Sequence, residues 1–383
     1  MVKFLRISSI YPGFIKKINK KIMNNDTYEK ILDLVLNERY SVSNNISKEL
    51  AKKDYVCTEL IYNFKILQNK WLKQYGNKNL KDEVIFQQIN FYNPDVLFIG
   101  DINLLDKKFI NKIRKITKIK LILCFHCAPI SKKIYNNLDY ADAIITCTKG
   151  YKDKISNKLT KDTFLMQHAF KVNENLDFTK KRDIDVSFLG SLFLNNKLHL
   201  TRVEIIYKLI KNFENSYVAI NFARYFLADL ILLILDSVIK FTFIKNIKMF
   251  YKIIYIFLFS KKPLFGKDML NIIKKSKILI NKHIEDTEYA GNMRLFEATG
   301  SGSMLITDYK KDLENLFVVD EEIIVFNNND ELFDLINYYL KNDEIRLKIA
   351  KNGYKKTFDV HNYHNRVKKL DKFIKYKLNN ENI

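Results

Sequence analysis

The chain has 383 residues, 47% of them hydrophobic, and a formal net charge of +22 at pH 7. That much apolar material excludes a disordered chain, and the length exceeds what one compact core holds, so two domains are expected. The charge points to anionic partners such as nucleotides, lipid headgroups or nucleic acid, although a bias toward Lys, Asn and Ile with only 10 Gly and 4 Pro gives part of it a compositional origin.

The first half alternates short apolar runs with amphipathic stretches, the pattern of a parallel α/β sheet. Strands are predicted at 3–7, 56–61, 96–99, 121–125, 143–146 and 163–166. Residues 1–10 read as a first strand rather than a secretory leader. Pro94-Asp95 stops a helix just before the third run. The four cysteines, Cys57, Cys124, Cys127 and Cys147, show no regular spacing, so no disulfide framework is expected and a reducing cytosol is. Cys124-Phe-His-Cys127 sits inside an apolar run, where neither a redox motif nor a metal site is expected. His126, at the end of that run, reads either as a structural histidine or as a hydrogen-bond donor to a ligand.

A polar, charged stretch at about 171–182 reads as a linker. Strands then resume at 185–189, 217–220, 278–280, 304–306 and 323–325. Gly190-Ser191 follows the first of these. A loop there can turn backbone N–H groups toward a phosphate, with Arg202 adding charge; an ordinary turn and a surface arginine fit equally. Residues 222–260 hold two apolar runs interrupted by Asp229, Asp236 and Lys240, with Lys245 and Lys248 between them. A charge at a bilayer centre costs about 2.5–3.5 kcal/mol, which argues against a span. A buried helical insertion and helices lying in a membrane interface both remain open.

Residues 278–308 form the most informative stretch. An apolar run ends in a polar loop, Gly291-Asn292 opens a short helix carrying Arg294 and Glu297, Gly300-Ser301-Gly302 closes it, and a second apolar run follows. Such a helix start offers free N–H groups and positive partial charge to a phosphate. Arg294 can add a bidentate clamp, and Glu297, one turn deeper, can accept from ribose hydroxyls. The alternative is an i,i+3 surface ion pair worth a few tenths of a kcal/mol.

These residues resemble the donor-binding segment of the group-1 glycosyltransferases, in particular the subgroup related to the spore-maturation protein CgeB. The pattern N-x-R-x-F-E-A, a glycine, an apolar strand and Thr-Asp is carried here by Asn292, Arg294, Phe296, Glu297, Ala298, Gly302 and Thr307-Asp308. Gly353, His361, Tyr363 and Arg366 resemble the family's C-terminal signature, and residues 185–192 with Arg202 its opening strand. The resemblance covers 185–370. It departs at Tyr289, where many members carry an acid; Glu288 stands beside it, so donor-sugar contacts do not carry over.

The resemblance implies a GT-B fold: two Rossmann-like domains facing a central cleft, at 1–175 and 183–355, with a helical apolar insertion at 222–260 and a last helix, within 356–383, crossing back to the first domain. It implies transfer of a hexosyl group from a nucleoside-diphosphate sugar to an acceptor hydroxyl, with retention, in surface glycan or glycoconjugate synthesis. Arg294 and His126 are the expected catalytic groups. Glu297, Gly291, Asn292, Arg202, Gly190, Ser191, His283 and Tyr289 are the expected donor-binding groups, with Glu285, Asp286 and Glu288 near the sugar. His168 reads as structural. No D-x-D pair is present and His361-x-x-His364 lacks a further ligand, so neither metal nor cofactor is expected. The acceptor is a glycan, a lipid-linked molecule or a protein, and the location is the cytoplasm, on an anionic membrane face if the insertion docks. Two other readings stay open: a non-catalytic membrane-associated relative, and a basic nucleic-acid-binding protein. The lysines are spread rather than clustered with exposed aromatics, so nucleic acid is not an expected partner.

Overall fold

The computed structural model describes residues 1–39, 43–77, 83–171, 176–194, 198–286 and 288–380. The chain divides into two units. Unit 1 comprises Met1–Ala169, Phe265–Lys267 and Asn362–Ile383; unit 2 comprises Phe170–Leu264 and Asp268–His361. The expected linker at 171–182 lies partly outside the described residues.

Unit 1 is built on β1 (Val2–Ser8), β2 (Tyr55–Ile61), β3 (Val96–Ile99), β4 (Leu121–Phe125), β5 (Ala143–Thr146) and β6 (Asp162–Leu165). They form one sheet in the order β2-β1-β3-β4-β5-β6, every pairing parallel. Every residue of β3 and β5 is buried. Helices on both faces require this, and it is why these strands read as continuous apolar runs rather than alternating ones. On one face the C-terminal helix, Tyr363–Asn380, adds Val367, Leu370 and Ile374 to a core containing Phe4, Phe98, Leu123 and Ile145.

Unit 2 carries β7 (Ile184–Leu192), β8 (Ser216–Phe222), β9 (Ser276–Asn281), β10 (Met304–Asp308) and β11 (Ile324–Phe326). Their order is β11-β10-β9-β7-β8, again all parallel. All eleven strands expected from the apolar runs form. The main difference is at β7, which runs to Leu192. Gly190 and Ser191 are therefore strand residues paired with Ile220 and Asn221, not a phosphate-wrapping turn.

The expectation of an apolar insertion at 222–260 is corrected. Its first residue belongs to β8, and two helices follow, Phe226–Ile239 and Phe243–Phe259. Phe226, Leu230, Leu233, Phe250, Ile253 and Ile256 pack into the same core as Ile205, Ile206 and Ile220, so the pair is a layer of unit 2. Among the described residues no helix is long and apolar enough to cross a membrane.

Candidate functional site

In unit 2 the chain passes from β7 to β8 on one side and then to β9 on the other. A parallel sheet opens a crevice at such a reversal, beyond the carboxyl ends of its strands. Here β7 and β9 stay paired as far as Phe188 and Ile280 and then part, while β7 follows β8 to Leu192. A cavity of about 290 Å³ lies at the divergence. Five expected residues line it: Gly190, Ser191, Arg202, Asn292 and Arg294.

Arg202 is buried, not a surface residue. Its guanidinium donates to the carbonyls of Ser191 at 3.0 Å and Lys282 at 2.7 Å, so it ties the ends of β7 and β9 together beside the cavity. Its Nε is buried without a partner among the described residues, and burial lowers its pKa to about 10.

Asn292 organises the entry to the Arg294–Gly300 helix. Its Oδ1 accepts from the Arg294 N–H at 3.0 Å, while its Nδ2 donates to Asn281 Oδ1 at 2.7 Å. Asn281 in turn donates to Thr307 Oγ1 at 2.9 Å, so the helix start is fixed to β9 and β10 through the side-chain amides of half-buried Asn292 and buried Asn281. The turn beyond the helix ends at Gly302, whose φ of 74° is open to glycine at little cost.

Arg294 and Glu297 pair with each other, as their i,i+3 spacing allows. The pair is not a solvent-exposed one: the side chains are 17% and 7% exposed. Arg294 faces the cavity, and Glu297 stands behind it with one carboxylate oxygen engaged.

His283, Glu297, Gly291 and Tyr289 do not line the cavity. His283 is buried, and both its backbone N–H and its Nδ1 lie 2.8 Å from Asp308 Oδ1. Its Nε2 has no partner among the described residues. Burial alone would raise the Asp308 pKa, but His283 and the Lys282 ammonium, 3.3 Å away, hold it well below the usual range. In the polar loop, Glu288 pairs with Lys311 at 2.5 Å, and Asp312 accepts from the Ala290 N–H at 2.6 Å.

Sequence reasoning missed three polar cavity residues, His199, Asn281 and Lys282. Lys282 directly follows β9, a position that the strand's end could have flagged. Buried His199 accepts from the Phe193 N–H at 2.9 Å through Nδ1. Burial, and then Arg202, lower its pKa to about 4, which keeps it neutral.

His126 belongs to unit 1. It is buried, donates its backbone N–H to Ile145 at 2.9 Å, and has no partner at Nε2 among the described residues. Burial lowers its pKa. Two of the four cysteines come together nearby. Cys127, just past β4, pairs with Cys147, just past β5, at a Cα separation of 5.5 Å. His168, past β6, brings Nε2 within 3.8 Å of Cys127 Sγ, and the three potential metal-ligating atoms lie within 4.8 Å of one another. Adjacent parallel strands gather the residues that follow their ends; local spacing does not reveal this. Cys124 stays buried and free within β4.

Comparison with known proteins bears on both units. Residues 258–372 match the family described as glycosyl transferase-like. No curated protein sequence matches the chain. Among solved structures, Anabaena HepE in complex with UDP-glucose superposes with a TM-score of 0.60 at 10% identity, over 98% of this chain and 100% of HepE. A glycosyltransferase from Rickettsia africae gives 0.58 at 12% identity, over 98% of each chain. Sucrose-phosphate synthase from Thermosynechococcus elongatus gives 0.57 at 9%, over 98% of this chain and 99% of the synthase. The two parallel α/β units have the fold of GT-B glycosyltransferase structures, and residues 258–372, which contain Asn292, Arg294 and Glu297, match a glycosyl transferase-like family.

Proposed function

We propose that the protein is a group-1 glycosyltransferase of the CgeB-like kind, moving a hexosyl group from a nucleoside-diphosphate sugar to an acceptor hydroxyl. The observation that carries this reading is the cavity at the β7/β9 divergence, where Arg294, Asn292 and Lys282 meet inside the family-matched segment. HepE in complex with UDP-glucose supports a UDP-sugar as donor.

The diphosphate sits in the cavity. Arg294 and Lys282 face the negative charge that grows on it as the glycosidic C–O bond breaks, which lowers the barrier electrostatically. Arg202 and Asn292 hold the walls at the spacing this needs. Glu297 accepts from the ribose with the oxygen that Arg294 leaves available. Gly190, Ser191, Gly291 and Tyr289 bound the donor, and His283 braces Asp308 behind it. His126 serves the acceptor side. Phosphate neutralisation then needs no metal, anomeric configuration is retained, and the product is a surface glycan or glycoconjugate built at the cytoplasmic face of a membrane.

Nucleotide-sugar screening by thermal shift, followed by measurement of UDP release from the best ligand, tests the reading. A ligand at one hundred times its dissociation constant stabilises the fold by about 2.7 kcal/mol. Stabilisation with slow UDP release supports a transferase. Stabilisation without release identifies a non-catalytic relative, and no stabilisation by any nucleotide sugar refutes the assignment.

A further inference from the structure

The helices Phe226–Ile239 and Phe243–Phe259 bury one face in the core of unit 2 and turn a second apolar face outward. On the second helix, Ile244, Ile247, Tyr251, Ile254 and Leu258 are all exposed. They recur at steps of three and four, so they form one stripe. On the first helix, Leu227, Ile231, Leu235 and Ile239 do the same. A soluble surface scatters such residues singly; contiguous stripes mark a place where something else docks.

The connection between the helices sharpens the point. Phe241 sits there with φ 55° and is 97% exposed. Positive φ is a true outlier for a bulky residue and normally falls to glycine or asparagine. The sequence places a large aromatic there and turns it into solvent, next to Ile239 at 75% and Ile244 at 86% exposure. An apolar tip held outward in this way fits a medium that accepts apolar groups.

The charges decide which medium. Lys248 borders the stripe, while Lys245, one heptad before Lys252, is exposed farther round the helix; neither forms an ion pair among the described residues. Lys240, at the tip, pairs with Asp236 at 2.7 Å, and Lys252 pairs with Glu204 on the core side. A second copy docked across a two-fold would bring this basic rim against the same basic rim, which is repulsive. An anionic lipid surface takes both features, with apolar side chains entering the acyl boundary and ammonium groups beside the headgroups.

We propose that this helix pair is a docking surface for anionic membrane, with Phe241, Ile244 and Leu258 entering the interface and Lys245 and Lys248 reading its charge. Only unit 2 is needed, and the proposal stands whether or not the cavity transfers sugar.

Flotation with vesicles tests it, using phosphatidylcholine alone and phosphatidylcholine mixed equally with phosphatidylglycerol. The full chain should float with the mixed vesicles, at least tenfold less with pure phosphatidylcholine, and progressively less as salt rises. A Phe241→Ser, Ile244→Ser, Leu258→Ser variant changes only exposed positions and should lose flotation at least tenfold. Lys245→Gln with Lys248→Gln should lose most of the salt-sensitive part. UDP affinity, measured alongside, should be the same in all three proteins, which separates this test from that of the cavity. Failure of the wild-type chain to float with anionic vesicles overturns the proposal. So does a lipid-free dimer that the serine variant abolishes, because a second copy would then cover the face.

Discussion

The Arg202 guanidinium donates to the Lys282 backbone carbonyl at 2.7 Å, joining two points of unit 2 that are 80 residues apart in sequence. With its second bond to Ser191, it staples β7 to β9 where the two strands separate, and so sets the width of the cavity.

A lysine cannot span both carbonyls, although it keeps the charge. Arg202→Lys should therefore destabilise the protein by about 1.5–3 kcal/mol, the scale of a charged hydrogen bond lost in a buried setting. Urea denaturation checks this. Unchanged stability would mean that the staple contributes nothing.

His199 gives a pH signature. Burial, followed by Arg202, lowers its pKa from 6.5 to about 4, so between these values the unfolded chain takes up a proton that the folded chain refuses. Stability from this group is complete above about pH 6.5 and falls as pH drops toward 4. His199→Gln keeps an acceptor for the Phe193 N–H and cannot titrate, so its melting temperature should change less between pH 7 and pH 4.5 than that of the wild type. Parallel curves would show that His199 does not titrate in this window.

Gly302 ends the turn after the Arg294–Gly300 helix at φ 74°. Alanine there meets the left-handed penalty of about 1–2 kcal/mol, and its Cβ would also crowd Leu176, Arg182 and Phe178. Gly302→Ala should lower stability by at least that much in chemical denaturation.

Cys127 and Cys147 should be oxidised in protein purified without reductant. Alkylation under denaturing conditions should then add two groups, at Cys57 and Cys124, and four after reduction. Four groups in both samples would show free thiols.

The sheets were legible because strands buried on both faces leave continuous apolar runs, and Val96–Ile99, Leu121–Phe125 and Ala143–Thr146 form with the bounds their runs predict. The motif around Asn292 and Arg294 was legible because its polar residues break that pattern at a strand end. What stayed hidden depends on where strands part or meet. Gly190-Ser191 reads as a turn because nothing local reports that β8 keeps β7 extended to Leu192. His199 enters the cavity only because β9 has left β7 by then, and Cys127 meets Cys147 only through the neighbouring ends of β4 and β5. The outward stripe on the 243–259 helix was visible as apolar composition, but its exposure follows from which face Phe250, Ile253 and Ile256 bury.

Titration calorimetry with UDP tests the central claim, that the unit 2 cavity seats a nucleoside diphosphate, most directly. The decisive variant is Arg294→Met with Glu297→Gln, which removes both charges of the buried pair and so leaves neither uncompensated. The wild-type chain should bind one UDP per molecule, and the folded double variant should bind at least about tenfold more weakly, a loss of 1.4 kcal/mol or more. No binding heat with the wild type, or equal affinity in a variant whose circular dichroism is unchanged, would contradict the account.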